Sequence, residues 1–206
     1  GCGLGATARQ LAARSPGLTV TGLTIVPGQA AAGNRMSAAE GLGERVRLIH
    51  ADYTAIPLPD HSVDYAYAIE SACHASGPDK AAFVRELCRV LRPGGRFVIA
   101  DGFMKHARPL PRWLERVRAR VCEGWALEAF PELAAVTSRL REGGVQALEV
   151  RDISWQVAPS VVHVPRVALR FLLDELRLTG ALRLGRLRRG NVVAPLLGIV
   201  LGLARS

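Results

Sequence analysis

Acidic residues are missing from the start of this 206-residue chain: no Asp or Glu occurs before Glu40. An acid at the end of the second strand holds the ribose hydroxyls in a dinucleotide site, so its absence counts against that reading of a nearby glycine loop. Aromatics are scarce, at 5% of residues, whereas hydrophobic residues make up 49% and are dominated by Ala, Val and Leu, as in an α/β enzyme. The four cysteines, Cys2, Cys73, Cys88 and Cys122, form no CxxC pair and have no histidine at metal-ligand spacing. Neither a zinc site nor a disulfide framework is indicated, and reduced thiols in a cytosol are the expected state. The apolar run Val192 to Ala204, 13 uncharged residues containing Pro195, falls short of the ~20 residues that a bilayer-spanning helix needs.

Charge of one sign is present in excess, but it is unevenly placed. Of the net +9, about +6 sits between Arg166 and Ser206, where eight arginines face only Asp174 and Glu175. The first 165 residues are mildly basic and carry no basic stripe interleaved with aromatics, so nucleic acid is not an expected partner. The length suits one domain with a sizeable core that needs no disulfide staples.

What is there begins with Gly1-Cys2-Gly3-Leu4-Gly5. Glycines two apart let the backbone turn sharply and let a ligand approach without meeting a Cβ, and the helix expected from Ala6 to Ala13 would point its free N–H groups at that ligand. Gly1-x-Gly3-x-x-Ala6 also fits the dinucleotide fingerprint, so later residues must decide between cofactors. Leu18 to Ile25 reads as a buried strand after the turn at Ser15-Pro16-Gly17. Thr24 stands at its end and Gln29 follows in a new helix; both are neutral candidates for holding a sugar or carboxylate, although a helix-start Gln can equally face solvent. Val46 to Ile49 is a further strand, after which Asp52 and Tyr53 would meet the crevice where ligands bind in open α/β sheets. There a carboxylate can accept from an exocyclic amine, and Tyr53 can supply an apolar wall.

Asp64 caps the entry to the strand Tyr65 to Ile69, which ends in Glu70-Ser71-Ala72-Cys73-His74. Asp79 is placed to cap a helix running through Leu91, with Phe83, Leu87, Val90 and Leu91 on one buried face. Arg92-Pro93-Gly94-Gly95 stops it, and Arg96 to Asp101 is the next strand.

In this order the motifs GCGLG, GLT with Gln29, the Ala51-Asp52 pair, IPLPDHSVD, ESACHA and RELCRVLRPGGRFVIAD resemble those of class I S-adenosylmethionine-dependent methyltransferases, specifically the sterol and tocopherol C-methyltransferase type. The resemblance covers about residues 1 to 102. It implies a Rossmann-like sheet with helices on both faces and S-adenosylmethionine as cofactor. It further implies that Gly1, Gly3 and Gly5 line the methionine portion, that Thr24 and Gln29 replace the usual ribose-binding acid, and that Asp52 holds the adenine amine with Tyr53 beside the ring. Glu70, Ser71 and His74 match the segment where the cofactor sulfonium and the substrate meet. In that fold a central strand and an acid for the cofactor's amino group stand ahead of the glycine loop. The chain is therefore expected to be an N-terminally truncated fragment, poorly folded and inactive alone.

Beyond Phe103 the residues suggest a substrate cover over 103–147. A proline-started helix would place Trp113, Val117, Val121 and Trp125 on one face, and a second helix would run from Glu132 to Glu142 up to Gly143-Gly144. Leu148 to Val157 alternates polar and apolar residues as a late strand would, closing a methyltransferase domain over 1–165. Residues 166–206 form a tail: a basic amphipathic helix from Val167 to Leu187, then the apolar run. It could pack on the domain, line a greasy substrate channel, or touch lipid at a membrane surface with Arg183, Arg186, Arg188 and Arg189 facing phosphates.

Methyl transfer from a sulfonium is a direct displacement that needs alignment in a dry pocket and no metal. Carbon methylation also needs a base, for which Glu70 and His74 are the candidates if partly buried. Glu70 could instead contact the cofactor or a lid residue, His74 could be a structural loop histidine, and Asp101 could be structural. The expected function is methylation of a lipophilic small molecule, an isoprenoid, prenylated aromatic or sterol-like acceptor, in the cytoplasm or against a membrane. The alternatives are O- or N-methylation of a natural product, a nicotinamide-dependent oxidoreductase, and a noncatalytic lipid-binding module.

Overall fold

A computed structural model describes residues 1–105 and 110–179 of the chain. These fall into two compact units, Gly1–His106 with Pro131–Gln146, and Ala107–Phe130 with Ala147–Ser206. The first unit alternates helices and parallel strands, as the sequence pattern requires.

Helix α1 (Ala6–Arg14) follows Gly5, whose φ of 76° is a left-handed conformation that glycine adopts without strain. Strand β1 (Val20–Thr24), helix α2 (Pro27–Ala39) and strand β2 (Val46–His50) come next. Pro27 opens α2 at a position where a missing N–H costs nothing. The two strands are parallel, in register from Val20 opposite Val46 to Thr24 opposite His50. Small side chains let α1 and α2 close on them: Ala8, Ala12, Ala30, Leu42, Val46 and Leu48 form one buried cluster. On α2, Asn34 uses both halves of its amide on one residue of β2, donating from Nδ2 to the Leu48 carbonyl (2.9 Å) and accepting the Leu48 N–H at Oδ1 (2.7 Å).

Strand β3 (Val63–Ile69) pairs in parallel with β4 (Leu91–Ala100), from Tyr65 opposite Arg96 to Ile69 opposite Ala100. Val63 lies opposite Leu91, so the residues between Leu91 and Arg96 bulge out of the ladder around Gly94, at φ 78°. The helix expected up to Leu91 is α3 (Ala81–Val90); Leu91 is already extended and starts β4. Lys80, at φ 52°, takes the position before the helix, while the carboxylate of Asp79 accepts the Ala81 N–H at 3.3 Å. Phe83, Leu87, Val90 and Leu91 are all buried. Helix α5 (Leu133–Glu142) packs on α3, so closely at its end that a Cβ on Gly143 would lie 2.6 Å from Cys88 Sγ. Among the described residues no ladder joins β1–β2 to β3–β4; they are two separate two-stranded sheets within an α/β unit.

The second unit corrects three expectations. Helix α4 (Arg112–Trp125) does start behind a proline, Pro111, but its buried residues are Leu114, Val121 and Cys122, with Val117 packed beside them, while Trp113 and Trp125 are 56% and 42% exposed. A row stepping by four residues drifts by roughly 40° per step around a helix of 3.6 residues per turn, so four such positions do not share one face. The expected strand Leu148–Val157 is not formed. Glu149 and Arg151 pair with each other at 2.6 Å, and Asp152 accepts from the Ser154 N–H and hydroxyl, starting helix α6 (Ser154–Thr179) where the strand was expected to continue. The expected tail helix therefore begins earlier, at Ser154. Expectations for residues 180–206, including the apolar run and its neighbouring arginines, lie outside the described residues. Among the described residues no helix is long and apolar enough to cross a membrane.

Candidate functional site

The predicted site residues gather at one end of the parallel strands through a series of short contacts. The Cys2 N–H donates to the Leu23 carbonyl (2.8 Å), which joins the glycine loop to the end of β1. The Ala51 N–H donates to the Thr24 carbonyl (3.0 Å), which brings Asp52 alongside. Tyr53 Oη donates to the Ser71 carbonyl (3.0 Å), and a Cβ on Gly1 would lie 2.5 Å from Ser71 Cβ, so the segment after β3 abuts the glycine loop. The carboxyl ends of β1, β2 and β3 thus share one crevice, the place where open α/β sheets bind ligands.

The three loop glycines have different physical reasons to be glycine. Gly5 packs on the core, since a Cβ there would meet Leu48 Cδ1 at 2.8 Å. Gly1 packs against Ser71. Gly3 has φ 55° and a Cβ direction that meets no protein atom within 4 Å, so it alone offers bare backbone to open space. The loop's position is fixed from behind: Arg9, 6% exposed, donates from one guanidinium nitrogen to the Leu4 carbonyl (2.6 Å) and from Nε to Glu40 (2.9 Å). Gly33 of α2 lies against the same carbonyl, where a Cβ would be 2.7 Å from the Leu4 oxygen.

Thr24 is buried, and its hydroxyl accepts the Val26 N–H (3.2 Å) while donating to Gln29 Oε1 (2.8 Å). This fixes Gln29 by its oxygen and makes the amide NH2 its outward donor, suited to a sugar hydroxyl or a carboxylate. The exposed Asp52 carboxylate takes the Thr54 N–H (2.7 Å) and hydroxyl (2.8 Å) on Oδ1, and these bonds, the backbone one foremost, hold its carboxyl below the usual carboxylate range. An ionised Asp52 is a pure acceptor, as an adenine amine requires. Tyr53 is more constrained than a ring wall needs to be: its hydroxyl is bonded to Ser71 and its ring meets Phe83 edge-on at 5.2 Å, and burial pushes its phenol up to about 12.

Glu70 adopts φ 48° and opens a short 3-10 turn, Ala72–His74. Its side chain and that of His74 are both exposed, so the partial burial expected of a tuned acid–base pair is not found. The turn itself is tightly held: Asp101 accepts the Cys73 N–H (3.0 Å) and the Gly102 N–H (2.8 Å). Burial, with the Asp101 carboxylate beside it, pushes the Cys73 thiol up to about 12, which keeps it un-ionised and a poor nucleophile. The sequence expectations give no role to Arg9 or Asn34; an arginine in an Ala-rich helix and an Asn in mid-helix are the available signals. Among the described residues no group of His, Cys, Asp and Glu is placed to hold a metal ion.

Gly3 thus presents an unobstructed loop, Gln29 an amide held by its oxygen, and Asp52 an anionic acceptor. Residues 1–99 match the family model described as a methyltransferase domain. The chain is 32% identical to tocopherol O-methyltransferase of Arabidopsis thaliana over 82% of its own length and 49% of that protein. It is 28% identical to cycloartenol-C-24-methyltransferase of the same plant, over 94% of its length and 56% of that protein. It thus spans about half the length of the curated relatives it matches. In fold, a cyclopropane synthase of Mycobacterium tuberculosis superposes with a TM-score of 0.76 at 19% identity, covering 100% of this chain and 70% of that one. Residues 1–99 thus carry a methyltransferase domain, and the chain is similar to S-adenosylmethionine-dependent methyltransferases of the sterol and tocopherol type.

Proposed function

We propose that the crevice at the ends of β1, β2 and β3 binds S-adenosylmethionine and methylates a lipophilic small molecule, an isoprenoid, prenylated aromatic or sterol-like acceptor. The observation that supports this reading is the set of short contacts joining the glycine loop to the end of β1, to the segment after β2 and to the turn after β3. When bound, the cofactor supplies an electrophilic methyl group for direct displacement by the acceptor. Gly3 would leave room for its amino-acid portion, Gln29 would donate to the sugar, and Asp52 would accept from the adenine amine. Alignment of acceptor and methyl group would do most of the catalytic work. His74 and Glu70 are exposed there and can take the proton that the acceptor loses. The names of the relatives include both an O-methyltransferase of a tocopherol and a C-methyltransferase of a sterol, which supports a greasy acceptor and leaves open whether oxygen or carbon receives the methyl.

The test has two arms. Isothermal titration is expected to show S-adenosylhomocysteine binding, contrary to the inactive fragment expected from sequence, and no NAD or NADP binding; the reverse would overturn the proposal. Mass spectrometry of lipid extracts incubated with enzyme and S-adenosylmethionine is expected to show a product one methylene heavier than its precursor. We further propose peripheral contact of residues 166–206 with anionic lipid, supported by their eight arginines. Liposome flotation that is salt-sensitive and lost on removing those residues would support it, and salt-insensitive flotation would refute it.

A further inference from the structure

The chain uses lysine at only two positions, Lys80 and Lys105; all its other basic residues except histidine are arginine. Lys80 is also one of its most deeply buried side chains, at 1% exposure, and occupies a left-handed conformation at φ 52°. A buried ammonium is expensive unless its donors are satisfied. Here Nζ donates to the Cys73 carbonyl (2.9 Å) and to the Ala75 carbonyl (2.6 Å). Both belong to the segment that carries His74. The other side of that segment is held by an opposite charge, since Asp101 Oδ2 accepts the Cys73 N–H. Residue 73 is therefore gripped at its N–H by an anion and at its C=O by a cation. Tyr53 fixes Ser71 immediately before the Ala72–His74 turn.

We infer that Lys80 is a positioning residue of the transfer site: its ammonium, acting with Asp101 across the backbone of Cys73, sets the place and direction of His74 and the turn that faces the cofactor loop. Lysine suits the task where arginine does not. A compact ammonium offers three tetrahedral donors to carbonyls converging on one buried point, whereas the planar guanidinium fork is larger and aims its donors in one plane. The αL backbone at residue 80 brings the side chain back under the turn instead of out along α3. Because residue 71 touches Gly1, a turn released from Lys80 shifts relative to the glycine loop, and alignment suffers more than cofactor affinity does.

The inference rests on the proposed methyl transfer, and its test separates the two. Lys80→Met keeps an unbranched stem out to Cε and removes the ammonium with its charge and donors. Amide hydrogen exchange followed by mass spectrometry on the whole chain is expected to speed up roughly tenfold or more across residues 73–75, whose N–H groups bond to Asp101, Ser71 and Ala72, while the amides of β1 and β2 keep their rates. At saturating S-adenosylmethionine, transfer of its labelled methyl group to a prenylated phenol used as probe is expected to fall about tenfold or more, with the KM for S-adenosylmethionine changing by less than about threefold. Lys80→Arg, which keeps the charge but is larger and aims its donors in one plane, is expected to recover little of either. Unchanged exchange at 73–75, or a uniform rise through the whole domain, would overturn the inference whether or not methyl transfer is observed. An unmutated chain that transfers no methyl to any acceptor counts against the proposed function alone, because the exchange measurement still judges the clamp. Lys80→Gln, with a neutral donor, is read in the same way if the methionine variant does not fold.

Discussion

Placing one methyl group at Gly3 and, separately, at Gly5 distinguishes a glycine kept for a ligand from one kept for packing. Both residues have positive φ, 55° and 76°, so alanine at either carries the left-handed penalty of about 1–2 kcal/mol. At Gly3 that is the whole structural cost, because the new Cβ meets no protein atom within 4 Å. At Gly5 it would stand 2.8 Å from Leu48 Cδ1 and 3.0 Å from Cδ2, against the buried cluster that contains Leu48, which adds the ~1–3 kcal/mol typical of overpacking. In a domain of this size each kcal/mol shifts the melting temperature by about 2–4 °C, so Gly5→Ala should melt several degrees below Gly3→Ala. Affinity should run the other way. The Gly3 methyl would occupy the open space assigned to the cofactor's amino-acid portion, and a loss of about 1.4 kcal/mol or more appears as a tenfold or larger rise in the Kd for S-adenosylhomocysteine. Calorimetric titration and thermal melts on the two variants decide the matter. A Gly3→Ala protein that binds S-adenosylhomocysteine as tightly as its parent would refute the loop as the floor of the site, and equal melting temperatures would refute the packing role of Gly5.

Asp52→Ala should weaken S-adenosylhomocysteine roughly tenfold or more by removing a charged acceptor, whereas His74→Ala should leave binding intact and lower turnover; equal effects on affinity would argue against this division. Glu86 accepts from Arg89 and from the Ile56 N–H, and the bonds from Arg89 above all hold its carboxyl below the ordinary value. The stability it contributes is thus present above the unfolded carboxylate range near pH 4.5 and is lost as the pH falls through the lower folded value, so Glu86→Gln should flatten this part of the acid-denaturation curve. Asn34→Ala leaves the N–H and C=O of buried Leu48 unmatched and should destabilise by about 2–4 kcal/mol in chemical denaturation, two groups at ~1–3 kcal/mol each with partial relief from water; Asn34→Asp, which keeps only the acceptor, should fall between.

What could be read from the sequence was whatever local chemistry dictates. A glycine loop needs positive φ, a Pro-Gly-Gly run ends a helix, and charged or neutral residues at strand ends meet the ligand-binding end of the sheet; all of these are short-range consequences of composition. The clamps were not legible because they join a side chain to a backbone group far along the chain, as Asp101 does to Cys73 and Asn34 to Leu48. Nothing in the residues around Asp101 announces which N–H it will accept. The strand expected over Leu148–Val157 failed for a related reason. Alternation is necessary for a half-buried strand, but a strand also needs a neighbour, and Asp152 offered the following residues an immediate helix cap instead. The exposed placement of Glu70 and His74 is likewise a matter of how the turn after β3 is tied down, which its own residues do not reveal.

The grip of Asn34 on Leu48 also decides in which direction this sheet can grow. A side-chain amide here occupies the two groups that another strand would use, in the way that a chain stopper ends a polymer. Recruitment of an extended segment, whether from the same molecule or from a neighbour, is therefore opposed at Leu48 on the outer edge of β2. Unwanted self-association through strand pairing cannot start at that point without first displacing Asn34.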